Sequence, residues 1–146
     1  MKTLFIALIC CLPIAAQSRA EFHHKYGEPT SETYEVRSGI YVTSISNKEG
    51  DVCQIVISPQ PALETLNYPS TKVMKSDELK VLIDELVPLK SRGKQTMSGF
   101  FNASCSPLNN CSGTMENYER MQIFRNGGMD KERYVLITLL KPNCPK

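Results

Sequence analysis

From Tyr34 to Ser58 the chain is dominated by Val, Ile, Tyr and Thr, interrupted by the turn cluster Asn47-Lys48-Glu49-Gly50. Two β-rich runs, 34–46 and 51–58, joined by a short turn ending in glycine read as a hairpin. Gly50 can take the left-handed conformation that closes such a turn. In the second run Cys53, Ile55 and Ile57 share one face by the two-residue period, and that face is expected to be buried.

Pro59, Pro61 and Pro69 make the next stretch a connection. Ser76 then reads as a helix N-cap. Asp77 and Glu78 place negative charge in the first turn, where the helix dipole favours it. Leu79, Leu82, Ile83 and Leu86 recur at i, i+3, i+4 and i+7, the apolar stripe of an amphipathic helix, and Pro88 ends it. Residues 89–113 lack such a pattern and read as a loop, with Phe100 and Phe101 expected over the core edge. Alternation returns from Tyr118 to Arg125. Met121 and Ile123 fall on one face, and Tyr118, Arg120, Gln122 and Phe124 on the other. Asn126-Gly127-Gly128 is a turn signal. Tyr134 to Leu140 is a nearly continuous apolar run, the pattern of a central strand, and Pro142 stops it. The order hairpin, helix, hairpin predicts an α+β fold: a two-layer sandwich whose antiparallel sheet has about four strands and carries one helix on one face.

The beginning of the chain has a different character. Lys2 precedes an apolar stretch from Leu4 to Ile14, and Ser18-Arg19-Ala20 sets small residues at −3 and −1 of a cut after Ala20. This is the pattern of a secretory signal peptide over 1–20. The stretch is shorter than the roughly 20 apolar residues of a spanning helix. Residues 21–33 read as a flexible polar tail and 34–146 as a single domain. Lys2 and Arg19 account for the formal net charge of +2, so the remainder is formally neutral. No basic patch calls for nucleic acid, and no further segment is long and apolar enough to span a membrane.

Of the six cysteines, Cys10 and Cys11 leave with the signal. Cys53, Cys105, Cys111 and Cys144 remain, an even number that suggests two disulfides with three connectivities. Cys105 and Cys111 flank a short polar loop and are natural partners, which leaves Cys53 for Cys144. Chain-entropy estimates are roughly 2.4 kcal/mol for the small loop and about 4.6 kcal/mol for the large one. There is no C-x-x-C pair, so the spacing does not fit a zinc site.

Candidate chemistry is sparse. The two histidines, His23 and His24, both lie in the tail, so the domain lacks the usual general base and metal ligand. A Ser–Lys arrangement with Lys72, Lys75 or Lys94 has no supporting motif. Asp77, Glu78, Asp84 and Glu85 are explained by the helix they sit on. No glycine-rich phosphate loop occurs, and the absence of tryptophan removes the strongest cation-binding platform. No catalytic, metal or cofactor-binding residue is assigned. Lys90, Arg92 and Lys94 form a candidate anion contact, although basic residues after a helix also complement its dipole. Asn102-Ala103-Ser104 and Asn110-Cys111-Ser112 match the glycosylation acceptor pattern.

Asp84-Glu85-Leu86-Val87-Pro88, Ser91-Arg92-Gly93-Lys94 and Asn117-Tyr118-Glu119-Arg120, with Asp51-Val52-Cys53-Gln54-Ile55 before a proline-rich connection, form a layout over most of the domain. It resembles small secreted proteins of acidobacterial soil bacteria. The resemblance implies a bacterial host, an exported location and unused sequons; it carries over no activity. The function expected is that of an exported, non-catalytic binding or envelope module, secreted or periplasmic, acting on another exported protein. The alternatives are a small hydrolase using carboxylates or lysine, and an inhibitor that presents the Cys105–Cys111 loop.

Overall fold

The structure, a computed structural model, describes residues 30–61, 72–106, 109–127 and 131–144, with the side chains of 101–111 outside that description. Its elements are β1 (Ser31–Arg37), β2 (Ile40–Ser46), β3 (Val52–Ser58), β4 (Met74–Lys75), α1 (Ser76–Leu86), α2 (Leu89–Arg92), β5 (Gln95–Ser106), β6 (Asn109–Tyr118), β7 (Met121–Gly127) and β8 (Lys131–Leu139). The expectation of a four-stranded sheet is overturned. One antiparallel sheet of eight strands runs β1-β2-β3-β8-β7-β6-β5, and the short β4 pairs with β8 beside β3.

Two misread segments account for the difference. The run 34–46 contains a reversal at Ser38-Gly39, which splits it into β1 and β2, and the strand reaches back to Ser31 inside the expected tail. The expected loop 89–113 contains α2, all of β5 and the start of β6. β5 carries no strand period because residues 95–100 are exposed on both faces. An edge strand lying against solvent needs no alternation; its backbone pairing with β6 suffices.

The other elements follow their patterns closely. The turn after β2 has Gly50 at φ 85°. Asn47 Oδ1 accepts from the amides of Glu49 at 3.0 Å and Asp51 at 2.8 Å. β8 lies between β3 and β7, as its apolar composition requires. α1 starts at Ser76, with Lys75 as the N-cap and no side-chain cap bond, so Ser76 is the first helical residue and not the cap.

α1 buries Leu79, Leu82 and Ile83 against the sheet face formed by Val42, Ile57, Val135, Ile137, Ile123 and Met121, with Ile55, Leu86 and Leu139 packed around them. Cys53 is buried and Ile55 half-buried on this same face, as the two-residue period requires. Tyr118 belongs here too. β6 ends at Tyr118 and reverses through Glu119-Arg120, so Tyr118 shares the covered face with Met121 and is not opposed to it. The reversal is anchored on the segment after α1, where Arg120 N donates to Arg92 O at 3.1 Å and Glu119 N to Lys94 O at 3.0 Å. The opposite face carries Thr43, Val56, Leu136, Phe124 and Met115 in one row across five strands.

A disulfide joins Cys53 to Cys144 with Cα atoms 5.4 Å apart, tying β3 to the segment after β8 across 91 residues. Next to it, Asn47 Nδ2 donates to Asn143 O at 3.3 Å.

Candidate functional site

Two features stand out once the fold is in place: a chain of ionisable groups on the covered face, and a long hairpin at one sheet edge.

The ionisable chain comes from the alternation of β6, β7 and β8. Glu116 pairs with Ile123 and Arg125 with Val135, so both charged residues point toward the α1 side. A register shift after Asn126 sets Gly127 opposite Glu132 and turns Glu132 inward as well. Arg125 lies between the two acids, with Nε 3.6 Å from Glu116 Oε1 and Nη1 3.4 Å from Glu132 Oε1. Met74 pairs with Glu132, so the start of α1 lies beside it, and the Ser76 hydroxyl bonds its carboxylate. Glu132 is 4% exposed. Burial raises its pKa, although Arg125 and Ser76 pull the other way. Among the described residues, Glu132 Oε2 and Arg125 Nε have no hydrogen-bond partner.

The chain continues through Tyr118, whose hydroxyl donates to Glu116 Oε2 at 2.7 Å. Burial and that carboxylate both raise the Tyr118 pKa. Arg92 lies over the Tyr118 ring, 5.7 Å from its centroid, donates from Nε to Val87 O at 2.8 Å, and pairs with Asp84. Hence the candidate anion contact is divided. Lys90 and Lys94 are exposed, while the Arg92 head is committed inside the fold. No sequence signal pointed to Glu116, Arg125 and Glu132 as a group, because a buried acid and a solvated one look alike in a strand.

The hairpin is formed by β5 and β6. Their pairing runs from Gln95↔Tyr118 to Ser106↔Asn109. Among the described residues β7 pairs with β6 from Gly113 to Asn117, and Gly113 pairs with Phe101, so residues 102–106 and 109–112 continue past the described β7 pairing as a two-stranded arm. No Asp, Glu, Lys or Arg occurs between Lys94 and Glu116. Phe100 is 72% exposed and Met97 57% exposed. Phe100 therefore does not pack over the core. The side chains of Phe101, Asn102, Cys105, Asn110 and Cys111 lie outside the described residues, and the expected Cys105–Cys111 bridge and both sequons fall there. The backbone sets Cys111 opposite Ala103, with Cys105 at a register shift between Ser104 and Ser106.

Among the described residues no group of three or more His, Cys, Asp or Glu is placed to hold a metal ion, and no helix is long and apolar enough to cross a membrane. No protein-family model, no curated protein and no solved structure matches the chain.

Proposed function

We propose that the protein is an exported, non-catalytic binding module that engages another exported protein through the tip of the β5–β6 hairpin. The observation that carries this reading is the arm itself. Among the described residues, 109–112 of β6 pair with β5 alone, so the hairpin extends beyond the described pairing that supports its base. A contact built on a paired, hydrogen-bonded arm loses less conformational entropy on binding than one built on a free loop. The Cys53–Cys144 disulfide supports the exported location, since such bonds persist in oxidising compartments. Burial of Glu132 beside Arg125 and Ser76 speaks against catalysis there: its side chain is 6% accessible, which leaves a substrate no approach.

The test is capture from the exported protein fraction of the host. The intact protein is compared with a variant whose residues 106–110 are replaced by Gly and Ser. The intact protein is expected to retain a defined partner that the variant loses, with equal unfolding midpoints. Equal capture by both overturns the reading.

A further inference from the structure

We infer that the free edge of β5 pairs with β5 of a second copy, joining two sheets into one across a two-fold axis. Among the described residues β5 pairs with β6 alone, so its outer row of backbone amides and carbonyls has no strand beside it. Natural sheets blunt such edges with charged residues, proline or bulges. β5 has no charged residue in its 12 residues, and its register shifts lie near its two ends, between Gln95 and Met97 and between Ser104 and Ser106. The stretch from Met97 to Ser104 is therefore a regular, uncharged edge.

The opposite edge shows the contrast. β1 carries Glu32, Glu35 and Arg37 within its seven residues. Charged side chains along an edge are among the devices by which natural sheets discourage edge-to-edge pairing. Self-pairing of β5 meets no like charge in any register from Met97 to Ser104. The occupant that fits is this chain itself, since an antiparallel strand is its own complement under two-fold symmetry. An axis at Gly99 sets Ser98 opposite the copy's Phe100, and the two Phe100 side chains then lie diagonally on one face. This covers Phe100, which is 72% exposed in the single chain. The pairing is closed: it uses both β5 edges and leaves, among the described strands, the charged β1 edges and the two-residue β4, so it ends at a dimer instead of growing into a fibre. With the axis at Gly99 the uncharged pairing is centred on Met97 to Phe101 and does not include the 106–110 tip, so it stands or falls separately from the proposed partner contact.

Sedimentation equilibrium of the purified protein, from low micromolar to 200 µM or about that order, provides the test. A monomer–dimer equilibrium is expected. Ser98→Lys, at an exposed edge position, is expected to give a monomer throughout, with the unfolding midpoint that the wild type shows at concentrations where it is monomeric. Thr33→Lys on β1 is expected to dimerise as the wild type does. A wild-type monomer across the range, or a Ser98→Lys variant that dimerises like the wild type, overturns the inference. So does loss of the dimer in Thr33→Lys.

Discussion

Arg125 and Glu132 face each other across the β7–β8 pair, Nη1 to Oε1 3.4 Å, on the face that α1 covers. Burial outweighs the attraction, so the folded Glu132 holds its proton to a higher pH than the unfolded chain does. A raised folded pKa sets the sign. The group's stabilising contribution is complete below its ordinary value of 4.5 and is lost as pH rises through the folded value. Urea unfolding between pH 4.5 and neutrality is therefore expected to show Glu132 favouring the folded state at the acid end. In Glu132→Gln this part of the pH dependence disappears. An unchanged slope in Glu132→Gln would contradict the assignment.

Removing the cation has the opposite consequence. Arg125→Met leaves Glu116 and Glu132 facing each other on the covered face without a counter-charge. The expected loss at neutral pH is about 3 kcal/mol, the low end for breaking a buried pair, because Arg125 and Glu116 keep some solvent contact. The loss shrinks as the solution is acidified and Glu132 takes up its proton. Denaturant midpoints at two pH values measure both effects. A pH-independent loss would mean that packing, not charge, is what Arg125 supplies.

Arg92 links the end of α1 to the β6–β7 reversal. Its guanidinium serves Val87 O, Asp84 and the Tyr118 ring together. Arg92→Ala is expected to cost about 2–3 kcal/mol, since a buried carbonyl loses a charged donor. Arg92→Lys should recover less than half of it, because a single ammonium cannot serve three partners in a fixed fork. Thermal unfolding of the two variants distinguishes this from a solvated basic residue, for which both changes would be near neutral.

The sequence made some of this readable. The face shared by Cys53, Ile55 and Ile57, the stripe Leu79–Leu82–Ile83–Leu86 and the central strand 134–140 were all legible because each buries a single face or lies in the sheet interior. Burial writes a period into the sequence. β5 was illegible for the converse reason: as an edge it satisfies the backbone on one side and leaves both side-chain rows of residues 95–100 wet, so no period is required. The turn at Ser38-Gly39 was hidden inside a run whose composition stays β-rich across it. The inward-facing Glu132 depends on a register shift at Asn126/Gly127 that only the pairing reveals. Arg92 looked like one of three solvated cations, and its neighbours in space are distant in sequence.

The Cys53–Cys144 bond closes a loop of 91 residues. The chain-entropy model places its contribution at about 4.6 kcal/mol, through restriction of the unfolded chain. Replacing both cysteines by serine is expected to remove most of that. Adding reductant to the wild type should reproduce the shift, and peptide mapping without reductant should recover the two cysteines on one fragment pair. A shift below about 1 kcal/mol would mean that the hydrogen bonds around Asn47 and Asn143 hold the C-terminal segment without help from the bridge.

Gly113 sits where the β5–β6 arm leaves the sheet, opposite Asn126. A Cβ built there would overlap the Arg125 carbonyl oxygen and carbon, backbone atoms that cannot turn aside. β6 and β7 can therefore approach at this point only because the residue is glycine. Gly113→Ala is expected to part the two strands, break the Asn126 Nδ2 bond to Ser112 O at 3.3 Å, and loosen the base of the arm. The expected loss is about 1–3 kcal/mol, the range for a forced backbone shift. Gly99 is the control within the same hairpin. It has open space around the position of a Cβ, and its φ is not in the left-handed region. Gly99→Ala should thus be neutral or gain about 0.5 kcal/mol by restricting the unfolded chain. Urea midpoints of the two variants, with limited proteolysis of residues 101–112, compare them directly. Equal stability in both would show that the strands can separate at Gly113 without loss.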